Sequence, residues 1–432
     1  MTNENVCVVG LGYVGLTLGV ALARQGVNVF GVETNKEIIN SLKKNKAHFS
    51  EKGLNEIIAE VISAKNFKFS NLIPEESDYS TYIITVGTPL DAKGNPRLDM
   101  IKNASREVAS NMKDGSLVIL RSTVELGTTR NVVMPILEKS NKKFELAMCP
   151  ERTLEGDAIN ELHSLPQIIG AESQEISQRC AKLFSVLSDK TIITKTFETA
   201  EMIKLVDNTS RDLYFSFANE IAEICSLFNI DVYEVIEKGQ AEYNRTKMWL
   251  PGPVGGPCLE KDPHILANSS IKRGFTPGVI KAGRNMNETQ NKLIINKIKL
   301  ILEQKKIKDP NILICGLAFK GIPETDDLRG SMGIKFLEEI NKTYKNISVY
   351  DPVVKYESLI KVCGKIVDME STQECFDLVV LLNNHSKFKT IEWKTFNNLL
   401  TEDGFVFDFW NSLGTFADKN KYFHLGSLSK LI

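Results

Sequence analysis

The opening stretch VCVVGLGYVGLTLGVALARQGVNVFGVE narrows the possible folds more than any other part of the chain. A β-branched run leads into a glycine turn. An apolar helix pattern follows and stops at Gly26, and a second strand pattern closes on Glu33. Gly10, Gly12 and Gly15 form G-x-G-x-x-G. The first glycine permits a tight turn, the second lets a backbone approach a pyrophosphate, and the third lets helix and strand pack closely. The start of the helix favours phosphate charge. A glycine-rich turn can also be purely structural. Here it follows a strand, opens a helix, and has an acid ending the next strand, which is the context a dinucleotide site requires. Glu33 would accept hydrogen bonds from a ribose diol and repel a 2′-phosphate, which favours NAD over NADP. Tyr13 and Val14 lie within the same turn.

The strand–helix alternation continues through TYIITVGTP, SLVILRST, FELAMCPE, QIIGA and TIITKT. This predicts a parallel, doubly wound sheet. From Glu198 to about Asn244 the apolar spacing turns helical. A loop rich in proline and glycine interrupts, and a second helical stretch runs from Pro277 to Lys306. Alternation then restarts with NILICGLAFK, SMGIKFLEEINKTY, ISVYDP, FDLVVLLNN and GFVFDFWN. The expected fold class is α/β: two Rossmann-like doubly wound α/β domains joined by a central all-helical domain. The expected boundaries are 1–197, 198–308 and 309–432.

Composition limits the partners. The net charge of −1 over 432 residues offers no basic field for nucleic acid. No run approaches the roughly 18 apolar residues of a membrane span, and the N-terminus lacks the basic and cleavage regions of a signal peptide. Eight cysteines, at 7, 149, 180, 225, 258, 315, 363 and 375, show no CxxC pair and no metal spacing. Most sit in apolar runs as small hydrophobes, so a reducing cytoplasm is expected.

Cys258 is different. It lies in GPVGGPCLEKDP, among glycines and prolines and just before Lys261 and Asp262. A buried structural cysteine is one reading. A presented thiol is the other, with a cation favouring thiolate and an acid available as base. Lys204, Asn208 and Arg211 recur at i, i+4 and i+7 on one helical face. That face is either solvated or a pair of oxyanion donors. CPERTLEG places Glu151, Arg152 and Glu155 at a strand end. VGTP and RSTV bring Thr88 and Thr123 to strand ends that would face the same crevice, although capping alone could explain them. Lys320 and Arg329, in GLAFKGIPETDDLRGS, are either surface charges or cations for a diphosphate.

In order, GLGYVG, VGTP, STV, PERxLEG, KLxxN, ANE, GGPCLEKD and GLAFK…DDLRGS resemble the UDP-glucose/GDP-mannose dehydrogenase family, the nucleotide-sugar 6-dehydrogenases, from about residue 5 to about residue 412. The resemblance implies oxidation of a sugar C6 alcohol to a carboxylate by two successive NAD+, through a cysteine thiohemiacetal and thioester. It implies that Cys258 is the nucleophile, kept accessible by an open, glycine-rich loop. Lys204 and Asn208 would steady oxyanions, and Asp262, with Thr123 and Glu155 through water, would move protons. Lys261 and Arg329 match positions near NAD, as do Thr88, Thr123 and Glu155. Glu151 to Glu155, the Lys247–Pro251 loop with Leu250, Gly255 and Lys320 match positions near the nucleotide sugar. The helix Pro277 to Lys306 is expected to pair with its mate in a homodimer.

The sequence departs from the family pattern in places. Arg152 stands where UDP-glucose and GDP-mannose members usually carry Phe. Arg211-Asp212 resembles the members acting on UDP-N-acetylmannosamine or UDP-N-acetylglucosamine, whereas Glu155 and Lys261-Asp262 resemble the UDP-glucose type. The balance leans to a UDP-N-acetylhexosamine, with UDP-glucose as the alternative. Ile38 replaces a cation often found near the NAD ribose. Two other functions compete: a one-step β-hydroxyacid dehydrogenase, which needs neither the thiol loop nor residues 311–432, and a non-catalytic NAD- or nucleotide-sugar-binding protein, which has no use for Cys258, Lys204, Asn208 and Asp262.

Overall fold

The computed structural model describes residues 4–74, 78–414, 417–418 and 420–426. Two compact units emerge. The first comprises residues 1–207 and 264–276, the second residues 208–263 and 277–432.

The first unit is built on eight strands: β1 (Asn5–Val9), β2 (Asn28–Val32), β3 (Phe67–Ser70), β4 (Thr81–Ile84), β5 (Ser116–Leu120), β6 (Phe144–Met148), β7 (Gln167–Ala171) and β8 (Thr191–Thr194). Their order across the sheet is β3-β2-β1-β4-β5-β6-β7-β8. The central strands β1, β4 and β5 are largely apolar because both their faces are covered. Val6 and Val8 of β1 enter one core with Ile83, Leu117, Ile119 and Ala147. Cys7 and Val9 enter the other with Tyr82, Ile84, Val118 and Leu120. This is the two-residue period of a pleated strand. The sheet is not parallel throughout as expected: β7 pairs antiparallel with β6, through Ala147–Ala171 and Met148–Gly170. The short helix Ala158–Ser164 between them is followed by the turn Leu165–Pro166, so the chain returns beside β6 in the opposite direction.

The second unit holds β9 (Ile312–Cys315), β10 (Ile347–Tyr350), β11 (Phe376–Leu381), β12 (Leu400–Asp408) and β13 (Tyr422–His424). The order β10-β9-β11-β12-β13 is parallel at every pairing. Here too the sides alternate: Ile312 and Ile314 face one core, Leu313 and Cys315 the other.

The helical middle is less continuous than its periodicity predicts. The helix Phe197–Leu227 ends where Asn229 takes a positive φ of 58°. A new helix, Val232–Gln240, starts on an Asp231 cap whose side chain accepts from Tyr233 N. The helix Gly278–Gln304 buries Arg284, Asn287, Gln290 and Asn291 in its first half, and Ile294, Ile295, Ile298, Ile301 and Leu302 in its second. Those isoleucines belong to the second unit's own core. One side of the helix expected to meet a second copy is thus already covered within its own unit. Phe197–Leu227 exposes Met202, Val206, Tyr214, Phe217, Ile224 and Leu227, and the helix Gly278–Gln304 exposes Val279 and Leu300.

Candidate active site

In the first unit the glycine turn has the form the sequence implies. Gly10 follows β1 with φ +95°. A Cβ on Gly15 would lie 1.9 Å from the Gly10 carbonyl oxygen, so helix and turn meet at glycine distance. A Cβ on Gly12 would meet nothing within 4 Å, which leaves an open approach at the start of the helix Tyr13–Arg24. β1 lies between β2 and β4, where the chain order reverses, and ligands of open α/β sheets sit at such a reversal. The Thr85 hydroxyl donates to Gly10 O at 2.6 Å. Buried Thr88 donates to Thr123 O at 2.6 Å, and Ser122 to Val86 O at 2.7 Å, so the loops after β4 and β5 are tied together. Glu33, just past β2, accepts from Leu11 N at 2.9 Å and Asn35 N at 2.8 Å. Ile38 packs on the apolar core, which gives its side chain a structural place. An open Gly12, a tight Gly15 and an acid beyond β2 fit a dinucleotide.

The loop after β6 is rigidly held. Arg121 and Glu151 form a buried ion pair at 2.7 Å, and Arg121 also donates to Gln167 Oε1 at 3.0 Å. The other Glu151 oxygen accepts from Arg152 N at 2.8 Å and Thr153 N at 3.0 Å. Burial raises the Glu151 carboxyl, but the Arg121 charge and these donors hold it below the usual carboxylate range. Glu151 therefore shapes this loop with its own side chain. The guanidinium of Arg152 is likewise engaged, donating to Pro166 O at 2.9 Å and pairing with Asp207 at 3.4 Å. Glu155 is buried. Its neighbour Gly156 is anchored by Glu51, whose carboxylate accepts from Gly156 N at 2.8 Å, Ala158 N at 2.8 Å and the hydroxyl of Tyr13. Fingerprint and loop are thus joined by one carboxylate. Lys204, on the helix Phe197–Leu227, is buried.

In the second unit the thiol sits on the short helix Gly256–Leu259, and Cys258 is exposed. Asp262 is fully buried. Its two oxygens accept from Lys261 Nζ at 2.7 Å and Asn208 Nδ2 at 2.6 Å. Burial disfavours the charged Lys261, but Asp262 and Cys258 outweigh it and lift the ammonium above its ordinary value. Cys258, Lys261, Asp262 and Asn208 thus form one group. With both oxygens engaged, Asp262 is placed to orient Lys261 and Asn208.

The glycines of this loop do something other than expected. They do not hold it open; they allow it to pack tightly. A Cβ on Gly252 would lie 2.6 Å from the Trp410 ring, on Gly255 2.3 Å from Gly330 O, and on Gly256 2.3 Å from the Phe319 ring. Gly256 N donates to Gly330 O at 2.8 Å. Arg329, next to Gly330, is exposed and pairs with Asp327 at 2.6 Å. Lys320 Nζ lies 5.4 Å from the centre of the Phe319 ring. Leu250 is exposed, while its neighbour Trp249 packs on Phe215 and Tyr214 at 4.8 and 5.4 Å. Arg211 is half-buried beside Asp212.

Sequence reasoning missed a buried polar ladder. Asp212 and Arg284 form an ion pair, and Arg284 also donates to Leu259 O at 2.9 Å. Asn287 donates to Asp212 O at 2.9 Å. Asn219 accepts from Gly252 N at 2.8 Å and from Gln290 Nε2 at 2.7 Å. The only signal was polar spacing in GRNMNETQN, which reads equally as a solvated face. Glu51 carried no signal at all, because its partners lie over 30 residues away on either side.

Comparison with known proteins matches three adjoining family models. They are the NAD binding domain of the UDP-glucose/GDP-mannose dehydrogenase family at residues 4–188, its central domain at 198–289 and its UDP binding domain at 313–415. The UDP-N-acetyl-D-mannosamine dehydrogenase of Pyrococcus horikoshii is 33% identical over 398 residues, covering 90% of this chain and 91% of that one. That of Campylobacter jejuni is 33% identical over 409 residues, covering 90% and 97%. The solved structure of the Pyrococcus horikoshii UDP-D-ManNAc dehydrogenase superposes with a TM-score of 0.87 at 30% identity, covering 98% of this chain and 99% of that one.

Proposed function

Because the chain belongs to the UDP-glucose/GDP-mannose dehydrogenase family, we propose that it oxidises the C6 alcohol of a UDP-N-acetylhexosamine to a carboxylate, using Cys258 as nucleophile. The observation that carries this is the exposed thiol grouped with Lys261, Asp262 and Asn208. One alcohol, two NAD+ and one water give one carboxylate, two NADH and three protons. NAD+, when bound, accepts hydride from C6 in each oxidation. Gly10, Gly12 and Gly15 would hold its pyrophosphate, Glu33 its ribose, and the Thr88 and Thr123 loops its nicotinamide end.

The chain's own residues handle the rest. Cys258 adds to the C6 aldehyde as a thiolate, favoured by Lys261. The C6 carbon then remains on sulfur until water attacks the thioester and releases the carboxylate and the thiol. Asn208 gives one amide hydrogen to Asp262, and its other hydrogen, together with Lys204, steadies the oxyanions. Glu155 and Thr123 order the attacking water. The three-part organisation at 1–197, 198–308 and 309–432 belongs to the same reading, as do action in the cytoplasm and assembly as a homodimer. The support for a dimer is the exposed run Tyr214, Phe217, Ile224, Leu227 and Phe228.

The sugar assignment rests on the relatives' substrates and on Arg211-Asp212, with UDP-glucose as the second candidate. The test is NADH formation with limiting UDP-N-acetylmannosamine, UDP-N-acetylglucosamine, UDP-glucose and GDP-mannose. Two NADH per N-acetylated sugar are expected. One NADH per sugar would remove the thiol route, and two per glucose would replace the proposed substrate.

A further inference from the structure

We propose that Arg284, locked by Asp212, is a positioning residue for the turn that carries Cys258. The proposal rests on the reading of Cys258 as nucleophile. Arg284 and Asp212 are both buried, on the helices Gly278–Gln304 and Phe197–Leu227. A buried ion pair is weak evidence for stability, because desolvation offsets its attraction. Its geometry here is informative. The Arg284 guanidinium spans two acceptors, the Asp212 carboxylate and the carbonyl of Leu259, the residue after Cys258. Asn287 fixes Asp212 through both its carbonyl and its carboxylate, each at 2.9 Å. The other end of the loop is fixed from the helix Phe197–Leu227, where Asn219 both donates to Gly252 O at 3.1 Å and accepts from Gly252 N at 2.8 Å, while Gln290 of the helix Gly278–Gln304 donates to Asn219.

Within this clamp, Lys261 N donates to Cys258 O at 3.2 Å, which keeps the thiol and the ammonium on one tight turn. Releasing Leu259 O would let that turn open and move Cys258 away from Lys261 and from its place of attack. Both bonds come from one nitrogen, Nη1, whose two hydrogens point at fixed angles in the guanidinium plane, which the freely rotating ammonium of lysine does not fix.

The test uses the full chain with Asp212→Asn and Arg284→Gln combined, which removes both charges together and leaves neither unpaired. Arg284→Lys serves as a second variant that keeps the charge. Three quantities are read: thermal melting, kcat and KM for the sugar, and the pH midpoint of Cys258 alkylation by iodoacetamide, followed on the Cys258 peptide by mass spectrometry. Expected for the double variant are a kcat lower by about 10- to 100-fold, a little-changed KM and a raised alkylation midpoint. Arg284→Lys should show the same changes to a smaller degree. A folded double variant, or a folded Arg284→Lys, with wild-type kcat and an unmoved midpoint overturns the proposal. Cys258→Ser separates the two readings. If it still yields two NADH per sugar the nucleophile assignment has failed, while the alkylation midpoint, which needs no turnover, still reports whether Arg284 sets the turn.

Discussion

At the scale of single residues, the chemistry of the site was easier to read than its support. Cys258 stood out because a thiol among glycines and prolines has no packing purpose, and the structure leaves it exposed. Cys258→Ser should form the aldehyde and stop, because serine is a poor nucleophile at neutral pH. Sustained formation of uronic acid by that variant would remove the assigned role. Glu51, Arg284 and Asn219 were illegible for a shared reason. A polar residue is read as solvated unless its partner is known, and their partners are far away in sequence. Ion pairs add a pH dependence. Burial raises the Glu4 carboxyl, but hydrogen bonds from Arg179, Ser80 and Thr81 overcome it and bring it down to about 2. Its folded value lies below its unfolded one, so its stabilisation is complete above the unfolded value and drains away as pH falls toward about 2. Glu4→Gln should therefore flatten the acid limb of a melting-temperature profile below about pH 4. An unaltered limb would show that the ion pair does not contribute.

At the scale of elements, strands and long helices followed directly from apolar period. The exceptions each have a local cause. The break at Asn229 depends on a positive φ and an aspartate cap, and the antiparallel β7 depends on how a short helix and turn return the chain. Neither is encoded in hydrophobic spacing. The thiol loop is the clearest case. Its glycines were visible, but they answer to Trp410, Gly330 and Phe319, more than 60 residues later. Gly256→Ala combines φ +92° with a ring contact at 2.3 Å, so a loss of stability of about 2 kcal/mol is expected. Urea unfolding of the variant would measure it, and a midpoint equal to wild type would show that the loop can yield without cost.

At the scale of the whole molecule, the order of motifs along the chain was more informative than any one of them, and the α/β class and family followed from it. Assembly was less legible. The long helix after the cysteine loop buries its isoleucines in its own unit, and the helix Phe197–Leu227 adds a run of exposed apolar side chains at Tyr214, Phe217 and Ile224. Phe217→Asp should convert a dimer to a monomer in light scattering, because it places a charge in an apolar contact. A dimer that survives the change would exclude this face.

The meeting of Gly255 and Gly256 with Gly330 has a consequence for how such a protein can change over time. A side chain at Gly255 meets the Gly330 carbonyl, and one at Gly330 meets Glu260, two residues beyond Cys258. The two segments therefore fit each other as a matched set. A loop transplanted from a relative would need its own partner segment to come with it, and drift at one of these positions is confined to whatever the other already allows.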